Sequence, residues 1–234
     1  MDLEFEEPVT EIIRRAYNVK SFRFKRPEDF DYKAGQYVII KLTDGEKKKG
    51  KPFTLSSSPT EKDHIEFTKK LTGHEFSNIL DSMVPGDKAT VKGPFGKLTF
   101  EGEHAKIALL SGGIGITPMI SICKYCTDMK LDTDIMLICS DKTEEDMIFK
   151  EELEEMEKQN PNLKVFHTLT RASENWTGCR ERICENLILR ELPDYSERTF
   201  YVCGPPPMVD AMVELLQSMR IPDSEINKES LIGY

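Results

Sequence analysis

The stretch Lys106-Ile-Ala-Leu-Leu-Ser-Gly-Gly-Ile-Gly-Ile-Thr-Pro118 decides the reading of the chain. Lys106–Ser111 is a compact apolar run of strand length, followed at once by glycines and then by a helical pattern from Thr117 to about Met129. Such a strand–glycine–helix junction lets backbone approach a ligand closely, and the free N–H groups at the helix start suit a pyrophosphate. Pro118 fits the first helical turn, where no N–H is required. Pro118 also stands where the third glycine of G-x-G-x-x-G falls, so the turn departs from the commonest dinucleotide fingerprint.

Towards the C-terminus the rhythm repeats. Asp134–Ser140, Leu163–Leu169 and Thr199–Cys203 read as strands, with helices over Ile148–Gln159 and from Met208 to about Met219. Alternating strand and helix implies a parallel sheet covered on both faces. Tyr201-Val-Cys-Gly-Pro-Pro-Pro-Met208 is a second strand–helix junction. Its glycine and prolines make a stiff bend at a strand's carboxyl end, where ligands bind in open α/β sheets.

Towards the N-terminus the pattern is different. Tyr37–Leu42, Ile65–Leu71 and Ala89–Lys92 are short strands separated by turn signals such as Asp44-Gly45, Pro85-Gly86-Asp87 and Gly93-Pro94, with one short helix over Glu75–Ser82. Closely spaced short strands suggest a small barrel. Within it, Lys51-Pro-Phe-Thr-Leu-Ser-Ser-Ser-Pro59 sets a cation, an aromatic ring and a run of hydroxyls at strand spacing, a set able to hold a phosphate and a polar ring together. The change of rhythm near residue 103 divides the chain into two expected domains, 1–103 and 104–234.

Composition narrows the function classes. The chain has 234 residues, 38% hydrophobic and 31% charged, with a net charge of −9 that disfavours general binding to nucleic acid or an anionic membrane. Apolar runs such as Ile107–Leu110 fall far short of the roughly 20 residues that span a bilayer. The start MDLEFEEPVTEII lacks the basic and apolar regions of a signal peptide, so a soluble cytoplasmic protein is expected. The 6 cysteines contain one C-x-x-C, Cys123-Lys-Tyr-Cys126, and no second to complete a metal or iron–sulfur site, so both are expected in a helix core. His64, His74, His104 and His167 are scattered and read as structural or surface residues, and Glu144–Glu157 as a solvated helix face.

In this order and at these separations, the three motifs resemble those of the ferredoxin–NADP reductase superfamily of flavoproteins, over nearly the whole chain. Lys51-Pro-Phe-Thr is similar to the family's Arg-x-Tyr-Ser flavin motif, and Gly113-Ile-Gly-Ile-Thr-Pro118 and Cys203-Gly-Pro205 to its two nicotinamide motifs. Gly35-Gln36-Tyr37, Pro85-Gly-Asp87 and Gly93-Pro-Phe-Gly96 match further landmarks. The resemblance implies an antiparallel six-stranded β-barrel followed by a Rossmann-like parallel α/β domain. It also implies a hydride passing from NADH or NADPH to bound flavin, FAD rather than FMN.

By the same resemblance, Thr54 would hydrogen-bond the flavin ring, Phe53 would stack on it beside Pro52, and Lys51 would replace an arginine at the flavin phosphate. Thr68 and Lys69 on the next strand, with Gly73, Phe76 and Ser77 at a helix start, would complete the flavin site. Gly113, Ile114, Gly115, Thr117 and Pro118, with Gly204, Pro205 and Met208, would hold the nicotinamide nucleotide, with Cys203 beside the reacting ring and Tyr234 covering the flavin. Ser140 and Asp141 fall where relatives meet the adenosine ribose. Asp141 there favours NADH, while Lys142 and Arg171 keep NADPH open.

Electrons are expected to leave for a separate acceptor, a ferredoxin, a flavodoxin or a small molecule. Residues 14–51 hold 12 Lys and Arg against 5 Asp and Glu, a local excess readable as a docking patch or as a solvated barrel surface. Two alternatives are a flavin-reducing subunit of a larger redox complex and a nucleotide-binding regulator without flavin.

Overall fold

The computed structural model describes residues 2–44 and 47–231. Its first part is a six-stranded sheet of β1 (Leu3–Ala16), β2 (Val19–Lys25), β3 (Tyr37–Asp44), β4 (Lys47–Thr54), β5 (His64–Lys70) and β6 (Lys88–Phe95), with helix α1 (Glu75–Ser82) between the last two. The strands lie in the order β4-β3-β6-β1-β2-β5, every pair antiparallel. The sheet curls until its two edges approach, where Leu55 bridges to Phe67 of β5. Inside, Phe67 stacks on Phe22 at 5.1 Å and on Phe53 at 4.8 Å, and Phe53 stacks in turn on Phe76 of α1 at 5.8 Å. This aromatic ladder is the core of the half-barrel, because offset rings bury large apolar area in a narrow space.

The second part runs β7 (Lys106–Gly112), α2 (Ile116–Asp128), β8 (Asp134–Asp141), α3 (Lys150–Gln159), β9 (Leu163–Leu169), α4 (Glu185–Glu191), β10 (Thr199–Gly204), α5 (Pro206–Ser218) and β11 (Ile226–Ser230). All five strands are parallel, in the order β11-β10-β7-β8-β9. The unbroken apolar runs of β7, β8 and β10 follow from burial on both faces. Ile107, Leu109, Ile135 and Leu137 pack with α2 and α3, whereas Ala108, Leu110, Met136 and Ile138 pack with α4 and α5. Cys123 and Cys126 lie fully buried on α2, as expected. The chain winds outward through β7, β8 and β9 and then returns to the other side of β7 as β10, which opens a crevice at the carboxyl ends of β7 and β10.

The fold class agrees with the sequence expectation. The structure adds β1, β2, β11 and α4, of which β1 and β11 show no strong apolar period. Along β1 only Val9 is buried, and β11 is the polar Ile-Asn-Lys-Glu-Ser at the sheet edge. No helix among the described residues is long and apolar enough to cross a membrane.

The two sheets share a seam. Val19, Ala34, Leu98 and Phe100 from the first part join the core on the α2 face of the second, and Phe100 meets Tyr201 edge-on at 6.0 Å. Ser121 of α2 donates a 2.7 Å hydrogen bond to the Ser57 carbonyl. Glu66 of β5, only 1% exposed, pairs with Arg15 at 3.1 Å and Arg23 at 2.8 Å, and Arg15 reaches on to Glu152 of α3. Burial alone pushes the Glu66 carboxyl up, but Arg15, Lys124 and Arg23 outweigh it and hold the group below its ordinary range.

The crevice is closed by backbone against backbone. A Cβ on Gly115 would lie 2.2 Å from the Cys203 carbonyl oxygen and 2.7 Å from the Gly204 Cα, whereas one on Gly113 would meet nothing within 4 Å. Gly113 is instead demanded by its φ of +53°. Gly113→Ala should therefore cost about 1–2 kcal/mol of conformational strain, and Gly115→Ala should cost more, because overpacking against rigid backbone adds about 1–3 kcal/mol or beyond. Thermal unfolding of the two variants should place Gly115→Ala clearly lower; equal melting temperatures would contradict the contact.

Candidate functional site

A first cavity, of about 230 Å³, opens between the two sheets. Tyr37, Pro52, Phe53 and Thr54 line it from the half-barrel, and Glu229, Ser230 and Leu231 from the end of β11. Thr54, 3% exposed, donates its hydroxyl to Glu229 Oε1 at 3.4 Å. Glu229 is the register partner of Cys203 on β10, and the Leu231 N–H donates to the Gly204 carbonyl at 2.9 Å, so β11 is pinned to the second glycine loop. Burial pushes the Glu229 carboxyl up, with the Thr54 hydroxyl acting the other way. Burial, with Glu229 beside it, also holds the Cys203 thiol well above its ordinary value, so this cysteine is a neutral thiol.

Glu229 went unread in the sequence, because a short polar edge strand carries no periodic signal. Thr54 and Cys203, singled out from separate motifs, do come together on either side of it. Tyr234 lies outside the described residues.

A second cavity, of about 460 Å³, lies over the half-barrel between Lys49, Gly50, Lys51 and the first turn of α1 at His74, Glu75 and Phe76. Lys69 is buried at 4% exposure on β5, and burial together with the Lys51 charge lowers its pKa to about 8. Two ammonium groups close enough to oppose each other make a donor set that an anion stabilises. Gly73 holds a φ of +75°, and the Ser77 hydroxyl accepts from the Thr72 N–H at 2.9 Å, so this loop is tied to α1 by the serine itself. Phe53 is committed to Phe67 and Phe76, with 3% of it exposed. The Thr68 hydroxyl belongs to a buried network with Ser21 at 2.7 Å and Ser56 at 2.8 Å.

A third cavity, of about 310 Å³, sits at the crevice of the parallel sheet. Its walls include Gly113, Ile114, Ser140, Asp141, Pro205 and Met208. Thr117, 2% exposed, donates to the Ile114 carbonyl at 3.0 Å, and Pro118 is buried beside it at the start of α2. Burial and the neighbouring Asp146 raise the Asp141 carboxyl to about 7, against the pull of Lys70 and a hydrogen bond from the Gly113 N–H. The Arg171 N–H donates to the Lys142 carbonyl at 2.7 Å, so the backbones of those two basic residues adjoin at the rim. No cluster suited to a metal ion occurs among the described residues.

Comparison with known proteins assigns both halves. Residues 7–100 match the oxidoreductase FAD-binding domain and residues 109–214 the oxidoreductase NAD-binding domain. The chain is 33% identical over 217 residues to NADH-cytochrome b5 reductase 1 of Dictyostelium discoideum, covering 90% of this chain and 76% of that protein. It is 31% identical over 228 residues to the glycine betaine monooxygenase reductase subunit of Chromohalobacter salexigens, covering 94% of this chain and 62% of the relative. The fold matches the cytochrome b5 reductase domain of Ulva prolifera nitrate reductase, with a TM-score of 0.85, 24% identity and 97% of each chain covered. It also matches a ferredoxin NADP+ reductase from Neisseria gonorrhoeae with bound FAD and NADP, with a TM-score of 0.84, 24% identity, and 97% of this chain and 98% of the other covered.

The raised Glu229 carboxyl has a thermodynamic signature. The folded state binds its proton more tightly than the unfolded chain, so the wild type loses stability as pH rises from the ordinary carboxylate range through the raised value. Glu229→Gln carries no such charge. Its melting temperature relative to wild type should rise between pH 4 and pH 8 by about 2–4 °C for each kcal/mol involved; a pH-independent difference would contradict the assignment.

Proposed function

The chain belongs to the ferredoxin–NADP reductase superfamily of oxidoreductases that use FAD and a nicotinamide dinucleotide, and we propose that residues 1–103 hold the flavin and residues 104–234 the dinucleotide. The observation that carries this reading is the meeting of Thr54 from the half-barrel and Glu229 from the parallel sheet at the cavity of about 230 Å³, with the buried Cys203 the register partner of Glu229. FAD held there would supply a hydride acceptor for NAD(P)H and single-electron release.

The chain's own groups orient, charge-match and exclude water. Lys51 and Lys69 would neutralise the flavin phosphates, and Gly73, Phe76 and Ser77 shape the loop that leads into α1. Thr54 would turn its hydroxyl to the flavin ring, and the Glu229 carboxyl, whose proton affinity burial raises, would lie beside it. The glycine turn at Gly113 and Gly115 would let the dinucleotide's phosphates approach backbone, Thr117 and Pro118 set the start of α2 beneath it, and Cys203, a buried neutral thiol, would back the nicotinamide side of the site.

For the dinucleotide we favour NADH. Asp141 in the third cavity suits a ribose hydroxyl better than a phosphate, and relatives carry NADH in their names. The acceptor is a separate one-electron carrier protein, of ferredoxin, flavodoxin or cytochrome b5 type. Charge alone is a weaker guide to it than the sequence suggests: Lys20, Arg23, Arg26, Lys33, Lys41 and Lys49 of the basic segment all pair with carboxylates. A reductase-subunit role inside a larger complex is the second reading, favoured by the relative that bears that description.

Steady-state oxidation of NADH and NADPH with each carrier tests the assignment. We expect kcat/KM about tenfold higher for NADH, a difference of roughly 1.4 kcal/mol, and reduction of at least one carrier. A large preference for NADPH would overturn the choice of dinucleotide, and failure to reduce any carrier would favour the subunit reading.

A further inference from the structure

Phe149 leads into α3 in a conformation that its side chain disfavours. Its φ is +61°, in the left-handed region, where a bulky aromatic residue is an outlier. Such a backbone persists only where its surroundings hold it. The Phe149 carbonyl accepts the Leu153 N–H at 2.9 Å, but no side-chain cap secures the turn. The hold comes through the ring. Buried in the core, it faces two cations, the Arg15 guanidinium at 4.7 Å from its centre and the Lys124 ammonium at 5.9 Å.

Arg15 is the firmer of the two. Its Nε donates to the Ser21 hydroxyl at 2.9 Å, its Nη2 to both Glu66 oxygens at 3.1 Å, and its Nη1 to Glu152. A planar fork committed in three directions presents a fixed flat face. Arg15 belongs to β1, so a strained turn of the parallel-sheet half is held from the half-barrel.

The residue before the turn is Ile148. It is buried, and with Val19 and Ile114 it supplies apolar wall to the third cavity. A relaxed Phe149 would redirect the chain at this point and carry Ile148 out of that wall. Resting on the reading of this cavity as the dinucleotide site, we propose that Arg15 is a positioning residue for dinucleotide binding. Stacked on Phe149, it keeps the left-handed turn that sets Ile148 in the cavity wall. Arg15 itself does not line the cavity, and its influence passes through the ring and the turn.

The test is calorimetric binding of ADP-ribose, which carries the adenosine and pyrophosphate but has no nicotinamide, to the flavin-loaded protein, with thermal unfolding alongside. Arg15→Lys keeps a charge opposite Glu66 but has neither the fork nor the flat face. It should weaken ADP-ribose binding about three- to tenfold, the loss of one cation–π contact. Phe149→Leu, which is ringless and still strained, should weaken binding by a similar factor. The double variant should bind no more weakly than either single one, because both changes cut the same path. Phe149→Gly separates the turn from packing, since glycine adopts a positive φ without strain. It should melt below Phe149→Leu, having lost more buried volume, yet bind ADP-ribose more tightly. A packing role alone predicts that Phe149→Gly is the weaker binder, and that result would overturn the proposal. The proposal also fails if Arg15→Lys lowers the melting temperature and leaves ADP-ribose affinity unchanged, or if the two single losses add in the double variant. Should Arg15→Lys not fold, the order of the two Phe149 variants still decides. If wild type binds no ADP-ribose, the dinucleotide reading of the cavity fails and takes the proposal with it.

Discussion

The molecule is organised around a contact that admits no side chain. Gly115, at the turn into α2, lies so close to the Cys203 carbonyl that a single Cβ would overlap it. That closeness presses the end of β7 against the end of β10 at the point where the strand order reverses. Everything around the site is placed relative to this contact. β11 aligns on β10 and sets Glu229 opposite Cys203, and the Leu231 N–H bonded to the Gly204 carbonyl fixes where the last described segment crosses the crevice. With that edge in place, Thr54 of the half-barrel meets Glu229 across the cavity.

The second requirement is that the half-barrel not slide. A buried carboxylate achieves this better than apolar packing alone, since apolar surfaces tolerate small displacements and a buried charge does not. Glu66 stays ionised only because Arg15 and Arg23 face it, and Arg15 also reaches Glu152 on the far side of the seam. Removing one partner of such a buried pair typically costs about 3–5 kcal/mol. The resulting rigidity suits hydride transfer, which loses rate steeply when the reacting atoms are displaced by about 1 Å.

Much of this was legible in the sequence. The doubly buried strands β7, β8 and β10 announce themselves as continuous apolar runs, and the glycine junctions carry the conformational demands that only glycine meets. Those two signals suffice for the parallel sheet and its ligand edge. Elements whose stability comes from neighbours were not legible: β1 carries a single fully buried residue, and β11 is a polar strand that exists because β10 offers it an edge. Glu229 was hidden for that reason. Charge misled in another way. The basic excess of residues 14–51 is real along the chain, yet carboxylates such as Glu4, Asp81 and Glu101, brought in from other segments, meet its lysines in space. The same holds for Lys70 and Asp146, 76 residues apart and facing each other only because the two sheets meet.

The proposed function seats FAD in the cavity that Thr54 and Glu229 line, to be reduced by a dinucleotide held on the parallel sheet. Its most direct test is an anaerobic titration of the purified, flavin-loaded protein with NADH, followed through the visible flavin absorption. The account predicts a yellow protein that releases FAD on denaturation and whose colour NADH discharges stoichiometrically. A protein that takes up no flavin, or one whose colour persists in excess NADH and NADPH, would contradict it.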